Sequence, residues 1–436
     1  MRQRGESRSK VRGRTGVATA LCAALCAVVA LPGGSAQAEE APGVYTFDSA
    51  AKPVRGATVS SNAQLLEAGS VYRDSIKKDA KLYYRLDLDA RTNAYVSVVA
   101  VPRAGGKVEY GDGITVTIQS GSNSRCSTQN AHFESAAFTR PIAAYAGRTI
   151  EPGSSSCQER GAYYVLVERA TKATSTPDGW DLEIRYDAEP SLKADGPTEA
   201  PEDWPSSSPA PPAGGPQRRA GGTGFNDAMS IGQGEWRDDI KPGQTRVFRV
   251  PVDWGQQLFV AADLGSSTAS TEYVGQALVV ALHNPARGLV RQKSDSYSGE
   301  PASMGFESLP PVAYENRFDS SDSTSGMRFA GWYYVSATLS PELVKEYGDQ
   351  AVPLTLRVNV TGKAKQGPGY DGQAGIFAVT DDDRDAAADG LSGPGAARSD
   401  TMKLVAVAGI GAGTVLLLGL GGWTVVARRR PTDRAH

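Results

Sequence analysis

Alternation with a period of two dominates the middle of this chain. Tyr84, Leu86 and Leu88 alternate with Arg85, Asp87 and Asp89, and Phe248, Val250 and Val252 alternate with Arg249, Pro251 and Asp253. Successive side chains of a strand point to opposite faces, so the pattern predicts strands with one buried face. Further strands are predicted over residues 94–100, 114–118, 163–168 and 181–186, and over 258–262, 277–282, 332–338 and 352–360. Turn residues such as Asp112-Gly113 and Lys241-Pro242-Gly243-Gln244 punctuate them. No long helical period interrupts the series, and the fold expected is an all-β antiparallel sandwich.

The pattern occurs twice. Val71-Tyr72-Arg73-Asp74-Ser75-Ile76-Lys77 returns as Glu235-Trp236-Arg237-Asp238-Asp239-Ile240-Lys241, an offset of 164 that holds through Tyr95-Val96 and Phe259-Val260. Gly161-Ala162-Tyr163-Tyr164-Val165 later returns as Gly331-Trp332-Tyr333-Tyr334-Val335, and Leu182-Glu183-Ile184-Arg185-Tyr186 as Leu354-Thr355-Leu356-Arg357-Val358. Order is kept and spacing nearly so, which is the signature of a duplicated domain. The first copy is placed at residues 65–187, after an N-terminal extension over 39–64, and the second at 223–362. Residues 188–222, dense in Pro, Ser, Gly and Ala, read as a flexible spacer, and residues 363–403 as a stalk. In the stalk, Asp381-Asp382-Asp383-Arg384-Asp385 lacks the Gly and Glu of a calcium loop and reads as solvated charge.

An early strand of the Tyr-Tyr-Arg-Leu or Val-Phe-Arg-Val kind, a following apolar strand and a late Gly-x-Tyr-Tyr-Val strand resemble the jelly-roll modules that follow bacterial secreted peptidases, the pre-peptidase C-terminal domains. The resemblance covers residues 65–187 and 228–362. It implies non-catalytic modules associated with secretion, substrate attachment or stability. The chain departs from that family in carrying no peptidase domain and in long inserts between the middle and late strands. The calcium ligands of some relatives have no matching positions, so the resemblance carries none over.

Two uniformly apolar runs lie outside the repeats. Residues 404–427 carry no charge and are followed by Arg428, Arg429 and Arg430. At about 1.5 Å per residue such a run crosses a hydrocarbon core of about 30 Å, with the arginines at its cytoplasmic end. Residues 428–436 form the expected cytoplasmic tail. Gly409 and Gly413 give the span a small-xxx-small face, through which a homodimer is expected. At the other end, a basic stretch, the apolar residues 17–31 and Ala36-Gln37-Ala38 make residues 1–38 a signal peptide. The expected protein is therefore a single-pass membrane protein with an extracellular ectodomain. An Ala, Gly, Arg and Pro bias suits an actinobacterial genome.

Charge and cysteine content then narrow the chemistry. The whole chain holds 46 basic and 48 acidic residues. Without the two terminal segments the ectodomain is net acidic by eleven charges, which argues against nucleic acid as a partner. Cys126 and Cys157 are an even pair in an exported segment, and a disulfide between them closes a loop of about thirty residues, worth about 3–4 kcal/mol. No set of metal ligands or cofactor fingerprint is apparent, and no nucleophile elbow, His-Glu-x-x-His or Walker loop occurs. His132 and His283 stand at non-equivalent places and read as exposed loop residues. Asp74 and Asp238 repeat behind an aromatic and an arginine, and read as an Arg–Asp pairing over a turn. Trp236, Trp254, Trp332, Tyr333 and Tyr334 read mostly as core, with Trp254 the strongest candidate for an exposed stacking platform. The expected function is non-catalytic binding or scaffolding at the cell surface, toward a protein or an envelope polysaccharide. The alternative is an envelope glycoside hydrolase with a carboxylate pair.

Overall fold

A computed structural model describes residues 44–397, apart from Pro152, Asp195 and Glu202, together with Trp423. The expected signal peptide, cytoplasmic tail and Gly409/Gly413 face lie outside the described residues, as does the expected spanning helix apart from Trp423. Among those described, no helix is long and apolar enough to cross a membrane.

The first copy contains β1 (Lys52–Pro53), β2 (Gln64–Leu65), β3 (Ser70–Ile76), β4 (Lys81–Leu88), β5 (Asn93–Val101), β6 (Gly113–Ser120), β7 (Arg125–His132), β8 (Ile142–Arg148), β9 (Gly161–Ala170) and β10 (Trp180–Glu189). The second contains β11 (Pro216–Arg218), β12 (Met229–Ser230), β13 (Gly234–Ile240), β14 (Thr245–Val252), β15 (Gln257–Leu264), β16 (Val274–His283), β17 (Leu289–Tyr297), β18 (Ala302–Gly305), β19 (Gly331–Leu339) and β20 (Val352–Thr361). Sheet orders are β1-β3-β10-β5-β8 and β2-β4-β9-β6-β7 in the first copy, and β11-β13-β20-β15-β18 and β12-β14-β19-β16-β17 in the second. Adding ten to each strand of the first copy reproduces the second. The fold is thus an all-β pair of repeated sandwiches.

Each sandwich buries one face of each of its two sheets. In the first, Leu86, Val96, Val98, Ile118, Val165 and Ile184 meet at its centre. In the second, Val250, Val260, Leu282, Val335 and Leu356 take the same part. The inserts between middle and late strands are themselves strands, β7 and β8 in one copy and β17 and β18 in the other. The polar sequences of β7 and β17 hide a period of two, β8 is a run of mostly small residues, and β18 is four residues long. Cys126 of β7 is bonded to Cys157, tying this insert to the segment before β9.

The two linker readings are corrected by the structure. The sandwiches dock directly, so residues 188–222 do not hold them apart. β5 is buried along nearly its whole length because both of its faces are covered. Val99 and Ala143 on the outer face of its sheet pack against Phe225, Val247 and Tyr334 of the second copy. Tyr95 meets Phe329 and Phe377 edge-on at 5.1 and 5.8 Å. The supposed stalk folds back onto the second sandwich, burying Tyr370 and Phe377. Its acidic run opens a helix, α1 (Asp381–Asp389), in which Thr380 and Asp383 form a capping box and three aspartates occupy the first turn, where the helix dipole favours them. Gly390 ends it at φ +69°, a left-handed geometry suited to glycine. The N-terminal extension is also structural: it supplies β1 and the first residue of β2, and it wedges Tyr45 between the sandwiches.

Candidate functional site

Strand β10 carries two kinds of residue on its two faces. Trp180, Leu182, Ile184 and Tyr186 enter the first core. Glu183 and Glu189 point the other way, into the seam between sandwiches, where both are fully buried. Glu183 accepts from Arg287 Nη1 at 2.5 Å, Tyr45 Oη at 3.1 Å and the Asp48 amide at 2.9 Å. Glu189 accepts from Arg317 Nη2 at 2.8 Å, Asn93 Nδ2 at 2.7 Å, and the hydroxyls of Tyr370 and Tyr95 at 2.7 and 3.0 Å. Burial alone would raise the Glu189 carboxyl. The Arg317 charge and these donors outweigh it and hold the group below its ordinary range. Both clusters therefore join the two copies.

The repeated aspartates have structural parts. Asp74 accepts from the Gly56 amide at 2.7 Å and from Tyr84 Oη at 2.8 Å. Asp238 accepts from the Gly221 amide at 2.9 Å, but Phe248 replaces the tyrosine, and Arg246 lies 3.2 Å away instead. The neighbouring arginines do not partner them: Arg73 reaches Asp181 at 3.7 Å. Each aspartate fastens the incoming segment to its sandwich; the Arg–Asp pairing over a turn expected from sequence is found for Asp238, across the β13–β14 turn to Arg246 and not with Arg237, and is corrected for Asp74.

Both histidines lie in strands, His132 at the end of β7 and His283 at the end of β16, and the exposed-loop reading is corrected for each. They line one cavity of about 200 Å³ in the seam, with Glu134 and Arg140 from the first copy and Gln292 and Thr338 from the second. His283 is buried edge-on to Phe225 at 5.1 Å. Burial, helped by the Arg287 charge, depresses it to about 3. Arg140 stacks on Phe133 and Phe138 at 5.0 and 5.2 Å, and burial lowers it to about 10. Among the described residues no group of three or more His, Cys, Asp or Glu is arranged to hold a metal.

A larger cleft, of about 700 Å³, opens on the second sandwich. One wall is the segment that sequence assigned to a spacer, including Trp204 and Pro205. Another is the loop from Pro310 to Asn316, and a third runs from Lys365 to Pro368. Backbone pairing fixes the junctions: the Gly255 amide donates to Val312 O at 2.7 Å and the Lys365 amide to Trp254 O at 2.8 Å. Gln257 Nε2 holds the spacer by donating to Pro205 O at 2.8 Å. Trp254 is largely buried, its indole lying against Gly367, so it is a wall residue and not a flat exposed platform. Trp236 and Tyr333 belong to the second core, Tyr334 to the seam cluster, and half-buried Trp332 donates to Asp383 of α1 at 2.8 Å. Sequence reasoning missed Trp204 and Tyr314, because neither lies in a periodic segment.

The fold defines a tandem β-sandwich protein, and comparison with known proteins does not take the assignment further. No family model matches the chain, and no curated protein does. Solved structures align over most of its length at low similarity. The N-terminal CBM22-1-CBM22-2 tandem domain from Paenibacillus barcinonensis Xyn10C is 12% identical at a TM-score of 0.19, covering 68% of this chain and 92% of that one. A protein of Parabacteroides distasonis described as secreted is 7% identical at 0.18, covering 69% and 91%. Broad Bean Stain Virus gives 9% and 0.17, covering 65% and 80%. Scores this low carry no argument about this chain.

Proposed function

We propose that this chain is a single-pass, membrane-anchored surface protein whose paired sandwiches bind a protein or envelope polymer without catalysing a reaction. The observation that carries the reading is the cleft beside Trp254. Its volume lies within the range of ligand sites, and it combines Trp204, Trp254 and Tyr314 with a few polar side chains. The uncharged residues 404–427 and the arginines after them support the anchor, and the Cys126–Cys157 bond suits an oxidising exterior. The strand signature supports kinship with pre-peptidase C-terminal modules, for which attachment is the implied role. Gly409 and Gly413 would pair two spanning helices.

Direct docking of the sandwiches changes the expected mode of binding. One body with the cleft on its second half replaces two independently tethered modules. The test uses the detergent-solubilised full chain as bait against purified envelope polymers and against crosslinked native membranes. Binding should fall in Trp204→Ala and Tyr314→Ala chains. Undiminished capture by both variants would refute the cleft as the binding site, and a C-terminal tag digested by protease outside intact protoplasts would refute the topology.

A further inference from the structure

Resting on the reading that this cleft binds, we infer that its ligand is a guanidinium or ammonium side chain presented by an extended polypeptide. The walls are poor in backbone amide donors. Pro197, Pro201, Pro205, Pro310, Pro311 and Pro368 contribute carbonyls to the lining segments but no amide hydrogens. Asn316, fully buried against the cleft, donates through Nδ2 to Pro311 O and Met327 O, each at 2.9 Å. Those two bonds fix the amide's orientation and leave Oδ1 an acceptor without a hydrogen-bond partner. Such an atom calls for a donor.

Charge points the same way. Among the described residues that line the cleft, Glu199, Asp203 and Glu315 are set against Lys365, so the described lining is net negative. The rings suit a cation as well: Tyr314 already carries the Arg317 guanidinium over its face, 3.4 Å from the ring centroid, and that arginine's charge is matched by buried Glu189. A neutral sugar could stack on Trp204 and Trp254, but it offers the three carboxylates little beyond what water offers. An anionic polymer is repelled. Reach separates the remaining candidates. Asn316 lies fully buried, and the long apolar stem of Lys or Arg can carry its charged head deeper than a group held close to a ring. An amine fixed directly to a pyranose ring stays at the mouth.

The test titrates the detergent-solubilised full chain with oligo-arginine, oligo-lysine, oligo-glutamate, a glucosamine oligomer and an N-acetylglucosamine oligomer. Binding is read by calorimetry and by tryptophan fluorescence, with Trp204→Phe assigning the signal. The cationic peptides should bind, oligo-glutamate should not, and Asp203→Asn combined with Glu315→Gln should weaken binding about tenfold, more at low salt than at high salt. These acids are on the surface of the cleft and their amides are close in shape, so folding is preserved. Cationic-peptide binding unchanged by the double substitution would overturn the inference. So would Trp204-dependent binding of either sugar oligomer without the peptides, although the cleft would stand as a binding site. If no probe's binding depends on Trp204 or the acids, both the inference and the cleft reading fail.

Discussion

Replacing Glu183 with alanine tests whether the two sandwiches are one cooperative body. Glu183 is fully buried and Arg287 nearly so, with 2.5 Å between Oε1 and Nη1. Removing the carboxylate strands the guanidinium in the seam and leaves the Tyr45 hydroxyl and Asp48 amide without their acceptor. Breaking one partner of a buried pair costs about 3–5 kcal/mol, most of it the penalty of the uncompensated charge. Replacing both partners with apolar residues of similar size, Glu183→Leu with Arg287→Met, removes that penalty and should restore much of the stability. Urea unfolding of the full chain in detergent, followed by tryptophan fluorescence and circular dichroism, measures each difference. The native chain should unfold in one transition and Glu183→Ala in two, because Glu189 with Arg317 and the apolar contacts of Tyr95, Val99 and Ala143 hold the copies more weakly without it. A loss below about 1 kcal/mol for Glu183→Ala, with a single transition retained, would show that this seam does not couple the sandwiches.

Three further outcomes are expected. His283 has a folded-state value near 3, below its ordinary value, so the unfolded chain takes up the proton first as pH falls. Stability should therefore decline from about pH 6.5 toward pH 3, by at most about 1.4 kcal/mol per unit, and His283→Gln should flatten that slope in unfolding midpoints measured across the range. Gln119 holds the equivalent place in the first copy, pairing with Tyr164 as His283 pairs with Tyr334. Cys126→Ser should destabilise by about 3–4 kcal/mol in the chain-entropy account, and free thiol in the unreduced native protein would contradict the bond. Gly56→Ala should lower the unfolding midpoint, since its new Cβ would lie 2.7 Å from Leu82 Cβ and 2.8 Å from Tyr84 Oη; an unchanged midpoint would mean that the strap at Gly56 is free to shift.

Much of each sandwich was legible because its signal is local. The alternation in β4 and β14 and the apolar runs of β5 and β16 report which faces are covered, and duplication at a constant offset exposes the same plan twice. β7 and β17 were missed for the same reason. Segments such as Arg125–His132 carry polar residues on their solvent face and place few in the core, so no period stands out. The cleft was harder still. Trp204, Tyr314 and Lys365 are widely separated in the chain, and none sits in a repeating pattern.

Sequence alone determined the all-β class, the duplication, and the pairing of the cysteines once export was inferred, because side-chain periodicity and composition follow directly from solvent contact along a strand. Tertiary structure decided the rest. Glu183, Arg287, Glu189 and Arg317 look like surface charges in sequence, since nothing local announces that a second sandwich will cover them. Residues 188–222 and 363–397 have too few apolar side chains to form a core, yet part of each is held against one built by the repeats. Pro205 takes bonds from Gln257, Phe377 packs on Phe329, and Thr380 caps α1. A segment that cannot fold on its own surface area can still be ordered by a neighbour's, and its composition does not record that neighbour.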